Sequence, residues 1–416
     1  MQRMLLGGVF VLAVGLRCGW VLLRTHWADG PEVLTYADER DYWRMASSWM
    51  TGETMSDEMG LVAARMPGYP LFLALWMGTP WPVLSARLAQ AILAGGGCVI
   101  FALIGRRLGG PTLGWLAGLL TALDPFAVLF TNLLLSETLF TVALGLFVWV
   151  GLSLAGRDDE VMGRDSTATA RGAPLWRWAW WGVSFLLCVY LHPSVVLMLP
   201  VGGVLLLVRL RSRRSLAGFA VALVVLVLGI APWSARNQGA LGGRCWLTSR
   251  LGISLYDGVG PRATGRSDLA YTREIPELQG LDELSWNRWF VARSFEHLGG
   301  DPGRILRLAW RKLLLTWNVV PNVEAHRTPA EMLVSAAWMV PVLLLGVVGL
   351  FTWPAARGDK AFLLMPVVYF TLLHMVFVGS VRYRVPVMPY VELLAAAGLL
   401  FVLAGWRANL VRRSRV

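Results

Sequence analysis

Met4-Leu-Leu-Gly-Gly-Val-Phe-Val-Leu-Ala-Val-Gly-Leu-Arg17-Cys18-Gly-Trp-Val-Leu-Leu-Arg24 is followed by Tyr36-Ala-Asp38-Glu39-Arg-Asp41-Tyr42. About 20 apolar residues in a helix cross the ~30 Å hydrocarbon layer of a bilayer, so the first run reads as a membrane span. The three carboxylates then stand where the chain has just left the membrane. An acidic cluster there is costly unless it is solvated or used, which makes it the first place to look for chemistry. Met1–Leu23 resembles a signal peptide, with Arg3 before an apolar run, but no small-residue cleavage site follows. It is expected to stay as a first helix.

The rest of the chain repeats this pattern. Of 416 residues 56% are hydrophobic and only 15% charged, with a mean hydropathy of +0.57. Soluble domains are about a quarter charged, so composition excludes an ordinary soluble protein. The expected fold is an all-α polytopic transmembrane bundle with juxtamembrane helices on its outer face. Apolar runs at 4–24, 82–105, 111–131, 133–155, 176–191, 193–208, 215–234, 330–352, 361–378 and 386–406 predict about ten spans. The net charge of +12 is nearly all arginine, Lys312 and Lys360 being the only lysines. Nucleic acid is not needed to explain it, because cytoplasmic loops collect positive charge. Arg106 and Arg107, then Arg157, Arg164 and Arg171, then Arg209, Arg211, Arg213 and Arg214, then Arg357 and Lys360 fall on one side with both termini. The tail adds Arg407, Arg412, Arg413 and Arg415 on that side. Residues 156–175, with Asp158, Asp159 and Glu160, read as a flexible cytoplasmic linker. Cys18, Cys98, Cys188 and Cys245 lack metal-site or disulfide spacing; no cofactor is expected, and the metal requirement is open.

Two long segments remain for the opposite side. Residues 1–234 form the expected N-terminal membrane core, including the first outer loop at 25–80. Residues 235–329 form a second outer loop, and 330–416 the C-terminal spans. Within the second loop, Pro302–Trp317 is amphipathic, with Arg304, Arg307 and Arg311 at helical spacing against Ile305, Leu306, Leu308, Leu313 and Leu315. Such a helix lies in the interface.

Several outer residues are fit for chemistry, and each has a blander explanation. Asp38 can serve as an N-cap with Asp41 three residues later, which leaves Glu39 and the apolar side of Asp38–Met50 unexplained. Arg65-Met-Pro67-Gly68-Tyr69-Pro70 is a rigid turn before the short apolar run Leu71–Met77. The prolines argue against a continuous helix. Arg65 can hold a phosphate in its planar fork or simply snorkel. Asn132 and Ser136-Glu137-Thr138 mark the turn into the fourth span, and an acid inside a span is a functional candidate or a packing partner of an arginine. Asp124-Pro125 reads as a kink. His192-Pro193 ends the fifth span, Trp233-Ser-Ala-Arg236-Asn237 ends the seventh, and Gly252-Ile-Ser-Leu-Tyr256-Asp257-Gly258 opens a glycine-punctuated loop. Gly379-Ser380-Val-Arg382-Tyr383-Arg384-Val-Pro386 joins the last two spans on the outer side, where arginines are disfavoured. Arg382 and Arg384 therefore call for an anion.

In the order and shared side of these motifs the chain resembles GT-C-type integral-membrane glycosyltransferases, akin to bacterial protein O-mannosyltransferases and aminoarabinose transferases. The resemblance rests on Asp38-Glu39 with Tyr42, Arg65-x-Pro-Gly-Tyr-Pro, Ser136-Glu137-Thr-Leu-Phe, Pro232-Trp-x-x-Arg236-Asn237, Gly252-x-x-Leu-Tyr256 and Arg382-Tyr-Arg-x-Pro386. It implies a polyprenyl-phosphate-linked sugar donor used on the outer face of a bacterial cytoplasmic (inner) membrane. It also implies Asp38 as general base beside Glu39, and Arg65 where relatives carry a phosphate-binding lysine. Tyr69, Glu137, His192, Arg236, Tyr256, Arg382 and Arg384 are the accompanying donor-site candidates. The chemistry suits the residues by themselves: glycosyl transfer needs a base for the acceptor hydroxyl and cations for the leaving phosphate, and one in-line displacement inverts the sugar carbon. The rival readings are a lipid-linked sugar flippase or transporter, and an O-antigen ligase or polymerase. The acceptor is open, and the bilayer itself is the remaining partner.

Overall fold

The computed structural model describes residues 2–27, 30–154, 173–324 and 327–413. Their regular structure is helical, with no strand among the described residues. The predicted linker lies outside them as far as residue 172. Eight helices are long and apolar enough to cross a membrane. One of them, α4 (Pro82–Leu123), follows α1 (Gln2–Trp27), α2 (Ala37–Met50) and α3 (Gly68–Ala74) and has 42 residues. That length is about 63 Å at 1.5 Å per residue, twice a bilayer core. The helix breaks at Gly109 and Gly110, where Gly110 takes φ 85°, a conformation that disfavours any Cβ. Pro111 opens the second arm. The first arm covers the span expected at 82–105, while the second ends at Leu123, short of the 111–131 expected, so among the described residues eight helices are of crossing length where about ten spans are expected.

Asp124-Pro125 is not a kink within a span. Asp124 accepts the Phe126 N–H at 2.9 Å, and Pro125 sits at the first position of a new helix, α5 (Pro125–Thr131), where no N–H is needed. The prolines at 67 and 70 likewise permit a helix, α3, because both fall in or before its first turn. The remaining spans are α6 (Glu137–Leu154), α7 (Leu175–Leu191), α8 (Met198–Leu210), α9 (Arg213–Leu241), α13 (Pro329–Thr352), α14 (Arg357–Val376) and α16 (Met388–Arg413). Shorter helices α10 (Leu251–Val259), α11 (Glu283–Gly300), α12 (Pro302–Thr316) and α15 (Val381–Arg384) belong to the connections expected on the outer side. Helix α9 runs through Pro232, so Trp233, Arg236 and Asn237 lie on the helix and not beyond it.

Helix α1 lies along α4, α6 packs on α4 and α7, and α13 lies along α16. In that last pair a Cβ at Gly349 would strike the Leu394 carbonyl, and one at Gly398 the Leu345 carbonyl. The two backbones touch directly, as small residues allow in membranes. Gly349→Val is therefore expected to lower the melting temperature of the detergent-solubilised protein by several degrees, about 2 kcal/mol of overpacking; scanning fluorimetry checks this. Trp178, Trp181, Phe147 and Phe185 fill the centre, with Phe147 stacked on Trp181 at 5.1 Å. Leu228, Leu344 and Phe351 stay exposed on the outside, a surface suited to hydrocarbon.

The two ends differ. Arg209 pairs with Asp359, Arg107 donates to the Leu152 carbonyl at 2.9 Å, and Lys360 donates to the Leu350 carbonyl at 3.0 Å. These predicted cytoplasmic cations thus meet at one end, satisfying helix ends. The long polar connections gather at the other end. There α12 buries Leu308, Lys312 and Thr316 and exposes Leu306, Trp310 and Leu314. Lys312 donates to the Met375 and Val376 carbonyls at 3.3 and 2.7 Å, closing the end of α14.

Candidate functional site

The site begins with how α2 starts. Tyr36, in extended backbone, is the N-cap. Glu39, three residues on, accepts the Thr35 and Tyr36 N–H groups, both at 2.9 Å, and the Leu134 N–H at 2.8 Å. Arg87 stands 3.7 Å away. This corrects two expectations. Asp38 is not the cap, because the helix starts at Ala37, and the carboxylate of Glu39, expected beside the base, faces backbone amides. Its oxygens are committed to three backbone donors, and it is fully buried. Glu39 closes the helix and ties it to the α5–α6 turn.

With the cap provided by Glu39, Asp38 and Asp41 are left for other partners. One oxygen of Asp38 accepts from Arg65 Nη2 and the other from Arg382 Nη1. Arg65 also donates to Asp41 at 2.8 Å and lies over the Tyr42 ring at 4.6 Å. Arg382 donates through Nε to Glu137. Arg250 stands 3.7 Å from Asp41, and the Tyr42 hydroxyl shares a 3.3 Å hydrogen bond with Ser136. Asp38, Arg65, Glu137 and Arg382, spread over 345 positions of sequence, form one continuous chain of contacts. Burial opposes ionisation of Asp38, but the guanidinium groups of Arg65 and Arg382 outweigh it and hold the carboxyl well below the usual carboxylate range. The same carboxylates raise Arg65 above its ordinary value against its own burial.

The turn before Glu137 is fixed from below. Gln90 donates to the Thr131 and Leu133 carbonyls at 2.5 and 2.7 Å. Its own oxygen accepts the Tyr69 hydroxyl at 3.0 Å. Tyr69 is fully buried beneath this turn.

The other candidates serve the loops. Arg236 donates to the Val62 carbonyl and, at 3.0 Å, to the Met55 carbonyl, with Trp233 beneath it at 4.9 Å. Arg384 is fully buried, donates to the Asn318 and Thr316 carbonyls and lies 4.7 Å over Phe126. Tyr256 packs among Tyr271, Trp289 and Phe290. His192 pairs with Ser194 at 2.7 Å, against the rings of Phe140 and Phe370. In each case the group that was read as facing a ligand meets the protein's own backbone or rings.

Two residues were missed. Arg250 is an arginine in a segment expected on the outer side, the same deviation that singled out Arg382, and that signal was available in Ser249-Arg250-Leu251-Gly252. Glu283 had no signal. It accepts the Val62 and Ala63 N–H groups at 2.7 and 2.9 Å and the Ser249 hydroxyl, while Ser249 N–H donates to the Ala63 carbonyl at 2.9 Å. This clamp holds residue 63 beside residue 249, and so sets Arg65 and Arg250 near each other. Glu283→Ala is expected to cost about 2 kcal/mol, because two part-buried amides lose their acceptor. It should also raise amide exchange at Val62 and Ala63, which exchange mass spectrometry measures.

No protein-family model matches the sequence, and no curated protein matches it. Solved structures do. The oligosaccharyltransferase of Archaeoglobus fulgidus tethered with an acceptor peptide matches 97% of this chain at 12% identity and a TM-score of 0.57, over 50% of its own length. The same organism's oligosaccharyltransferase AglB, in complex with an inhibitory peptide and a dolichol-phosphate, matches 99% at 11% identity and a TM-score of 0.51, over 52% of its length. This chain thus spans about half the length of those archaeal proteins. ArnT from Cupriavidus metallidurans bound to undecaprenyl phosphate matches 94% of this chain and 78% of its own at 15% identity, with a TM-score of only 0.41. The GT-C resemblance drawn from the motifs therefore holds at the level of fold: the chain is an all-α integral-membrane protein folded like these archaeal glycosyltransferases.

Proposed function

We propose that the protein is an integral-membrane glycosyltransferase that moves a sugar from a polyprenyl-phosphate donor to an acceptor hydroxyl at the outer face of the membrane. The observation that carries this reading is the placement of Asp38 between Arg65 and Arg382, at the end of the bundle away from its basic connections. Asp38 takes the acceptor proton as the new C–O bond forms. The bond from the anomeric carbon to the phosphate oxygen breaks with its electron pair, and the sugar carbon inverts. The departing polyprenyl phosphate gains one negative charge, which Arg65 and Arg382 are placed to stabilise. Glu137 and Asp41 hold the two arginines from behind. The dolichol-phosphate bound to the archaeal relative of this fold supports the donor class. Purified protein in detergent, given an undecaprenyl-phosphate-linked sugar and candidate acceptors, should release undecaprenyl phosphate. Failure to release it with any acceptor while the donor binds would favour a carrier of lipid-linked sugars instead.

A further inference from the structure

We propose that Asp38 occupies the donor's phosphate site, so that phosphate and carboxylate exchange places between Arg65 and Arg382 when the donor binds. This deepens the transferase reading and rests on it. Three observations point to exchange. Asp38 is the one carboxylate of the cluster that both arginines contact. Each arginine also has a second carboxylate, Asp41 for Arg65 and Glu137 for Arg382, so neither depends on Asp38 to stay in position. And the side chain of Asp38 is 32% exposed, against 13% for Asp41 and 2% for Glu137, so it is the carboxylate with room to leave.

Charge balance favours the exchange. Asp38, Asp41 and Glu137 face Arg65, Arg250 and Arg382, and Asp57 adds a further carboxylate beside Arg250 and Asp41. A phosphodiester adds a negative charge, and like charges at contact distance repel by several kcal/mol even at an effective dielectric of about 20. Phosphate and Asp38 cannot both lie between the same two guanidinium groups. Displacement also has a chemical consequence. A carboxylate gripped by two arginines is a poor proton acceptor, as the downward shift of Asp38 shows. Once the phosphate holds the arginines, Asp38 is released as a base beside the bond that is to break. The donor thereby switches on the group that attacks it.

The test compares binding of undecaprenyl phosphate and of inorganic phosphate to wild type, Asp38→Asn and Asp38→Glu in detergent by calorimetry. Asp38→Asn removes the competitor and should bind undecaprenyl phosphate about tenfold tighter, 1.4 kcal/mol. Asp38→Glu keeps the charge and should stay within about twofold of wild type. Adding Arg65→Gln to Asp38→Asn should erase the gain. A parallel gain for inorganic phosphate supports the exchange with the headgroup alone as ligand. A gain confined to the lipid supports it with the lipid phosphate as ligand. Equal or weaker binding of both probes to folded Asp38→Asn overturns it. In wild type, saturating undecaprenyl phosphate should raise amide exchange over the first turn of α2 about twofold, since Asp38 loses its ion pairs; unchanged exchange overturns the proposal without any variant. The two readings fail separately. Lost transfer with unchanged phosphate binding removes the exchange and keeps the base, whereas retained transfer with tighter binding removes the base and keeps the shared site.

Discussion

Asp38→Asn should lower sugar transfer from a polyprenyl-phosphate donor by about 10²–10⁴-fold, the contribution of a well-placed general base. Asparagine keeps the side-chain shape and one oxygen toward the arginines but cannot accept the acceptor proton. The scaffold should survive, because Arg65 keeps Asp41 and Arg382 keeps Glu137. The α2 cap is untouched too, since it belongs to Glu39 and not to Asp38. The loss should fall on kcat, with KM for the donor unchanged or lower, because the variant removes a competing anion from the phosphate site. Steady-state kinetics with a radiolabelled lipid-linked sugar separates the two. A variant that melts like wild type and transfers at the wild-type rate would show that the base lies elsewhere.

The bundle was legible because its causes are local. Each span is an apolar run, the connections at one end carry arginine, and the break in α4 is announced by Gly109-Gly110-Pro111. Asp38, Arg65, Glu137 and Arg382 were legible for a related reason: charge at the end of a membrane bundle away from its basic connections is costly, so it stands out. What composition and side cannot tell is which partner a charge takes. Arg236, Arg382 and Arg384 are the same donor group in similar positions, yet Arg236 and Arg384 serve backbone carbonyls and Arg382 serves two carboxylates. A planar fork suits carbonyl oxygens as well as phosphates, and only the path of residues 55–62 and 316–318 decides between them. Glu39 shows the same limit at shorter range. The cap moved from Asp38 to Tyr36 because the carboxylate three residues past Tyr36 also reaches the Leu134 amide, a partner 95 residues away. Arg250 carried a readable signal of its own, but its place beside Arg65 rests on the clamp of Glu283 on Val62 and Ala63, which joins distant segments with no shared pattern.

Arg382→Gln should be the most destabilising single change in the site. Glu137 is 2% exposed and Arg382 is the cation that pairs with it; its second oxygen has no hydrogen-bond partner among the described residues. Removing the guanidinium leaves a carboxylate uncompensated in the bundle, a loss of about 3–5 kcal/mol. The reverse change, Glu137→Gln, should cost less, since Arg382 is 23% exposed and retains Asp38. The decisive variant is the double one. Arg382→Gln with Glu137→Gln leaves no orphan charge, and two amides can hydrogen-bond to each other, so most of the stability should return. Transfer activity should not return, because the leaving phosphate still lacks one of its cations. Thermal melts and transfer rates on the four proteins of the cycle measure both. Recovery of stability without activity assigns Glu137 to holding Arg382 and Arg382 to the substrate. Recovery of both would make the pair purely structural and leave Arg65 and Arg250 to bind the phosphate alone.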